Sequence, residues 1–160
     1  MRQDLTSDSV SRHIDASPEE LYDVVSDVTR TPELSSEIAN VKWLDGATGP
    51  AVAARFRARN SAGRGPDWFN KPVITVADRG REFTFERTEW IGGTLRWSYR
   101  FDPDATGTMV TESYEVTEPL NSFGWFLIGT LYGLKDRKTD LRHGMTETLE
   151  RLATMVRQPA

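Results

Sequence analysis

Residues 122–157 read SFGWFLIGTLYGLKDRKTDLRHGMTETLERLATMVR. Leu127, Leu131, Leu134, Leu141, Met145, Leu149, Leu152 and Val156 recur there at steps of three, four and seven. That spacing lays one apolar face along a helix, while Lys135, Arg137, Lys138, Asp140, Glu147 and Arg151 fall mostly elsewhere. The stretch is expected to form one long helix, or a short helix running into a long one. Everything upstream reads mostly as strand. An amphipathic helix that follows a run of strands must bury its face against a sheet. The expected arrangement is therefore a sheet curled around this helix, with the functional space between the two.

Bulk properties narrow the classes of function. At 160 residues the chain is long enough to bury a real core. A hydrophobic content of 38% with 28% charged residues belongs to a globular chain and not to a disordered one. The net charge is −4 and there is no basic run, which argues against nucleic acid as a partner. Cysteine is absent, so disulfides and thiol nucleophiles are excluded. His13 and His143 are far apart and show no metal-ligand spacing; neither a metal nor another cofactor is expected. Asp4 and Asp8 interrupt any apolar run at the N-terminus, which does not read as a signal peptide. The most apolar segment, residues 123–134, is too short to span a bilayer, so no stable membrane insertion and a cytoplasmic location are expected. A homodimer is left open.

Working back from the helix, residues 7–15 open as a strand in which Val10, Arg12 and Ile14 share a face. Ser17-Pro18-Glu19-Glu20 is a helix start: a cap, proline at the first helical position, and acids in the first turn. Leu21, Tyr22, Val24, Val25 and Val28 are its buried stripe. Residues 27–32 break that helix, and Thr31-Pro32-Glu33 restarts a second one through about residue 36. Strands are expected at 41–44, 52–60, 68–77, 82–88, 94–102 and 108–118, joined by glycine-rich or proline-rich turns. In 52–60, Val52, Ala54, Phe56 and Ala58 take one face. Pro72 inside 68–77 points to an edge or a bulge. The clearest alternation is Leu95, Trp97, Tyr99 and Phe101 against Arg96, Ser98 and Arg100. On the wet face, Arg96 and Arg100 are positioned to pair with Glu115 and Glu86. The class is α+β, with about six to seven antiparallel strands, two short helices after the first strand, and the long C-terminal helix.

Several stretches together resemble a known family. Ser17-Pro18-Glu19-Glu20-Leu21-Tyr22 follows an N-terminal strand, and Trp97-Ser98-Tyr99-Arg100-Phe101 leads through Gly107-Thr108 into Val110-Thr111-Glu112-Ser113-Tyr114-Glu115. Thr148-Leu149-Glu150-Arg151-Leu152 lies in the closing helix. The pattern resembles the START-like (SRPBCC) superfamily, and within it the polyketide cyclase/dehydrase and lipid-transport group. The resemblance runs from about residue 9 to residue 156, so residues 1–160 are read as one such ligand-binding domain. It implies a helix-grip fold: a curved antiparallel sheet around the C-terminal helix, enclosing an apolar cavity. Its members include lipid and sterol carriers, aromatase/cyclases and helpers of quinone-dependent respiration, so fold alone does not select the function.

The strand register turns Phe56, Phe83, Phe85, Trp97, Tyr99, Phe101 and Tyr114 toward the helix, with Leu141 and Met145 facing them. Rings at strand spacing make either a packed core or the wall of a small-molecule pocket. Glu112 shares the inward register of Val110 and Tyr114, and a carboxylate there needs a partner or a raised pKa. Arg87, in register with Phe83 and Phe85, is the expected partner. Glu112, Tyr99 and Arg87 are the candidates for orienting a polar ligand end, or for moving protons if there is turnover. His143 falls beside the apolar stripe. Gly144 inside the helix marks either room for a ligand or a neutral surface position. Residues 123–129 are a plug, a gate or a partner surface, and residues 64–69 a candidate lid. Three functions follow: a carrier or sensor of a small hydrophobic molecule (lipid, polyketide or isoprenoid-like); a cyclase or dehydratase using the same cavity; and a protein-interaction module of the quinone-helper kind. The absence of a histidine–carboxylate constellation favours the first.

Overall fold

The computed structural model describes residues 2–90 and 92–157. Strand β1 (Ser7–Ile14) is followed by α1 (Pro18–Ser26), a 3-10 turn at Val28–Arg30 and α2 (Thr31–Leu34). Then come β2 (Ile38–Trp43), β3 (Phe56–Asn60), β4 (Trp68–Asn70), β5 (Val73–Asp78), β6 (Glu82–Thr88), β7 (Thr94–Asp104) and β8 (Gly107–Glu118). Two helices close the chain, α3 (Ser122–Thr130) and α4 (Arg137–Arg157). The signals read from the sequence operate at α1: the Ser17 side chain accepts from the Glu20 amide at 3.2 Å, with Pro18 at the helix start.

All strand pairs are antiparallel. One sheet has the order β1-β8-β7-β6-β5 and the other β2-β3-β4. The sheets meet through backbone bonds between the segment before β3 and the start of β5: Ala53 N–H to Ile74 O at 2.8 Å and Ile74 N–H to Ala54 O at 2.9 Å. Helix α4 packs on β1, β8, α1 and α2. This is the α+β helix-grip arrangement expected from the sequence.

Residues 122–157 take the second of the two expected arrangements, a short helix and then a long one, and several other local expectations are corrected. Gly133 takes φ +68° and the Leu134 amide bonds back to Ile128 O at 3.0 Å, which closes α3 in a left-handed turn. Asp136 caps α4 by accepting from the Thr139 amide at 3.3 Å. Leu131 is therefore exposed in the linker, and Arg137, expected on the wet side, is buried. The strand expected at 68–77 is two strands, β4 and β5, in different sheets. Pro72 has no amide to donate and sits at the break. The count of strands is accordingly eight among the described residues. Strand β3 begins only at Phe56, because Ala53 turns through φ +72° and leaves Val52 in solvent. On the wet face, Arg96 bonds Glu86 at 3.0 Å and approaches Glu115 at 3.9 Å, whereas Arg100 pairs with Glu82 at 3.4 Å.

The core is uneven along α4. Leu149, Leu152 and Ala153, in the C-terminal half, are fully packed with Ile14, Leu21, Phe101 and Val110. Burying each Leu contributes about 2 kcal/mol. The N-terminal half meets the sheet differently: Leu141 and Met145 touch Trp97, Tyr114 and Leu95 across a space that side chains do not fill.

Candidate functional site

Between the sheet and the first half of α4 lies a cavity of about 100 Å³. Phe56 (β3), Phe83, Phe85 and Arg87 (β6), Trp97 and Tyr99 (β7) and Glu112 (β8) form its sheet wall. Leu141, Gly144, Met145 and Thr148 of α4 face them, and Val25, Val28, Leu34 and Val41 close the end near α1 and α2. Period-two alternation sends the β6, β7 and β8 side chains inward, and register places Phe85 opposite Trp97 and Tyr99 opposite Glu112.

Eight of the ten residues expected to line a pocket do so: Phe56, Phe83, Phe85, Trp97, Tyr99, Glu112, Leu141 and Met145. Phe101 and Tyr114 do not. Phe101 lies further along β7, edge-on to Tyr22 with centroids 5.9 Å apart, inside the closed part of the core. Tyr114, the cross-strand partner of Trp97, packs beside it with ring centroids 5.2 Å apart. Its buried hydroxyl has no partner, and burial pushes its pKa up to about 12.

Glu112 is 5% exposed, and its Oε1 accepts from the Tyr99 hydroxyl at 2.9 Å. Its Oε2 is buried without a partner. Burial raises the carboxyl from its ordinary value of 4.5 to about 8, and the Tyr99 hydrogen bond only partly opposes this. At neutral pH the group is thus mostly the neutral acid. Burial and the neighbouring carboxyl also raise the Tyr99 phenol well above its usual range, so it stays protonated. Trp97 Nε1, on the same cavity wall, is likewise buried and unpartnered.

The expected Arg87–Glu112 pair does not form. Arg87 Nε donates to Glu89 Oε1 at 2.6 Å, both side chains being about one-tenth exposed. Glu89 is two residues on and on the same side of the chain, so it reaches the guanidinium without crossing the sheet. Its second oxygen accepts from Trp68 Nε1 at 3.2 Å. Glu89 lies one residue beyond β6, whose end at Thr88 the sequence reading placed correctly, so the strand alternation was not carried on to it.

Arg87 and Leu141 also front a second cavity of about 50 Å³, walled by Trp68, Trp125, Ile128 and Tyr132. These two residues are the partition between the chambers. Outside, an open cleft runs past Ser35, Glu37, Asp140 and Gly144, all of which border the inner cavity as well. Arg137 Nη2 donates to Glu37 Oε1 at 2.6 Å in the wall of that cleft. The sequence gives no signal for this pair, whose members are a hundred positions apart. His143 is exposed on the cleft and takes no part in the inner cavity. A Cβ added at Gly144 would meet nothing within 4 Å, so the glycine faces open space.

Within residues 123–129, Trp125 and Ile128 plug inward while Phe123 and Phe126 stay exposed. The 64–69 segment is tied down: Arg64 donates to Thr130 O at 3.2 Å, and Trp68 packs edge-on to Tyr132 at 4.9 Å. Among the described residues no cluster of His, Asp or Glu has metal-binding geometry, and no helix is long and apolar enough to cross a membrane.

A cavity held between a curved antiparallel sheet and a C-terminal helix defines a helix-grip protein. The sequence model of the family described as polyketide cyclase / dehydrase and lipid transport matches residues 7–157, and the chain belongs to that family. Among solved structures it is similar to protein CV1439 from Chromobacterium violaceum, with TM-score 0.72 and 13% identity over 97% of this chain and all of that one. It is also similar to the di-domain ARO/CYC StfQ from the steffimycin biosynthetic pathway, with TM-score 0.74 and 12% identity over 93% of this chain and 49% of that one. The Polyketide_cyc-like protein Cgl2372 from Corynebacterium glutamicum matches with TM-score 0.58 and 28% identity over 94% of this chain and 90% of that one. Among curated proteins none matches this chain by sequence.

Proposed function

We propose that residues 7–157 act as one binding domain, taking up a small hydrophobic molecule in the cavity between the sheet and α4. The observation that carries this is the wall itself. Five aromatic residues, Phe56, Phe83, Phe85, Trp97 and Tyr99, surround unfilled space, and Glu112, which has one unpartnered carboxyl oxygen, stands in the same wall. Ring surface supplies affinity at about 25 cal/mol per Å² of apolar area removed from water. The family's description, polyketide cyclase / dehydrase and lipid transport, supports a polyketide-like or lipid-like ligand. At about 100 Å³ the chamber is smaller than the roughly 300–1,000 Å³ of drug-sized sites. A larger ligand therefore requires movement of Arg87 or Leu141, which would join the two chambers.

One observation favours a second reading, catalysis of the cyclase/dehydratase type. A carboxylic acid that is neutral at pH 7, with its phenol partner in a water-poor site, is equipped to protonate a carbonyl or a leaving hydroxyl. Glu112 would be the acid, and Tyr99 would hold it in place.

Native mass spectrometry of the freshly purified protein, with solvent extraction of the same sample, tests the binding reading. A co-purifying apolar molecule, or saturable quenching of tryptophan fluorescence by an apolar probe, is the expected result. No adduct and no saturable probe binding would end it. Turnover of an added polyketide-like chain that is lost in Glu112→Gln would select the enzymatic reading.

A further inference from the structure

The inner cavity has an uneven set of polar atoms. Arg87 is held by Glu89. The Tyr99 hydroxyl is spent on Glu112 Oε1. Two side-chain atoms of residues in the wall remain without partners, Trp97 Nε1 and Glu112 Oε2; both are covered, so a ligand reaches them when neighbouring side chains shift. An indole nitrogen can only donate. Because Tyr99 already donates to Oε1, the proton of a neutral Glu112 sits on Oε2 and makes that oxygen a donor too. A buried donor without an acceptor is unfavourable, and a ligand that offers an acceptor recovers that loss.

Resting on the binding reading above, we infer that the cavity selects an uncharged ligand carrying a hydrogen-bond acceptor, such as a ketone oxygen, seated against Glu112 Oε2 and Trp97 Nε1. A carboxylate is rejected because, among the described residues that line the cavity, the one cation is Arg87, already paired with Glu89 and not free to offset its burial. The charged and titratable groups around Glu112 are few. Strand β6 contributes Arg87, neutralised by Glu89, and β7 contributes Tyr99. On α4 there is Asp140, at the outer edge of the cavity, and before β2 there is Glu37, paired with Arg137. On β1, Arg12 follows Val10, the residue opposite Glu112. None of these arginines holds the Glu112 carboxyl ionised; burial and Tyr99 alone set its state.

The state of Glu112 makes the selection depend on pH. With the carboxyl titrating near 8, the donor is present below that pH and is replaced above it by a negative charge. Affinity for a ketone then tracks the fraction of neutral acid, falling about 30-fold between about pH 6.5 and pH 9.5.

The test uses the full chain and four probes sharing one ring system: naphthalene, 2-acetonaphthone, 2-naphthoate and 2-naphthylmethylamine. Binding is followed by calorimetry or ligand-observed NMR, with circular dichroism confirming the fold at each pH. The ketone is expected to bind at least about tenfold more tightly than the hydrocarbon or the naphthoate near pH 6.5, and to weaken with pH as stated. Glu112→Gln, whose amide still donates, is expected to keep ketone binding and lose its pH dependence. Trp97→Phe is expected to weaken the ketone by a larger factor than it weakens naphthalene. The pH titration of the unaltered protein decides the question even if a variant does not fold. Naphthoate or the amine binding best, or a ketone affinity that is flat in pH or no better than that of naphthalene, would overturn the inference while leaving the cavity as an apolar site. If none of the four binds, the binding reading falls and takes the inference with it.

Discussion

Glu112→Gln should stabilise the unliganded protein near neutral pH, and by an amount that grows with pH. In the unfolded chain the carboxyl ionises near 4.5, and in the folded protein near 8. The folded state therefore binds the extra proton between those values, and stability falls as pH rises through that window. Each pH unit is worth about 1.4 kcal/mol, so keeping Glu112 protonated at pH 7 costs about 3 kcal/mol of folding free energy. Glutamine has nearly the same shape, and its carbonyl still accepts from Tyr99. It leaves one more buried N–H unpartnered, at about 1 kcal/mol. The variant should then be more stable by about 2 kcal/mol at pH 7, or about 4–8 °C in Tm for a chain of this size. At pH 4.5 the carboxyl term has gone and the same variant should be slightly less stable than the parent. Thermal melts of both proteins from pH 4.5 to 9 read this directly. A difference that is constant across that range, or a parent Tm that does not decline between pH 5 and 8, would show that the carboxyl is ionised or paired, and the reasoning would fail.

Other perturbations have equally definite outcomes. Gly144→Ala should raise stability by about 1 kcal/mol, because a helix-interior glycine is replaced without a clash; a loss in urea unfolding would contradict the open space seen there. Gly144→Leu puts a side chain where cavity and cleft meet and should slow uptake of an apolar probe about tenfold or more in stopped-flow fluorescence; unchanged uptake would place the access route elsewhere. Glu89→Ala removes the only ion-pair partner of Arg87 among the described residues and an acceptor for Trp68, so unfolding free energy should drop by about 3 kcal/mol. Arg137→Met, which strands Glu37 at the more exposed rim, should cost less, about 1–2 kcal/mol, and should speed probe exchange if the pair guards the cleft.

Why some of this was legible from the chain alone is a matter of range. The inward register of Phe83, Phe85, Trp97, Tyr99 and Glu112 follows from period-two alternation, a property of neighbouring residues, and each lies on the cavity wall. The same alternation cannot tell where along a strand the cavity stops. Phe101 has the same inward phase as Tyr99 but meets Tyr22 of α1, and only the packing of α1 against β7 decides that. The α3–α4 break was one of the two arrangements the sequence allowed, and Gly133 and Asp136, a helix stop and a helix cap three residues apart, decide it. The single-helix alternative stayed open because Leu127, Leu131 and Leu134 continue the apolar spacing across the linker. Arg87 illustrates a different failure. Opposite charges with matching inward phase suggested Glu112, but a partner two residues along the chain, just past the end of β6, needs no sheet curvature to reach it, and it wins. The Arg137–Glu37 pair depends on how the start of α4 lands beside the segment after α2, which no local pattern encodes.

The distribution of unfavourable terms is the strongest argument that the cavity is functional. A void of about 100 Å³ destabilises by about 2 kcal/mol if the walls cannot collapse. A carboxyl held neutral at pH 7 adds about 3 kcal/mol, and an unpartnered indole N–H about 1–3 kcal/mol more. Against a total stability of about 5–15 kcal/mol these are large. They fall on one wall, while a few turns along the same helix Leu149, Leu152 and Ala153 are packed without space. A protein whose task lay only on its outer surface, for example at the exposed Phe123 and Phe126, would gain from a leucine in place of Glu112 and a larger side chain in place of Gly144. On the binding reading, a ligand with an apolar body and an acceptor oxygen would offset the void and the unpartnered donors. The cost of holding the carboxyl neutral would remain, and it is what would provide the proton that the oxygen accepts.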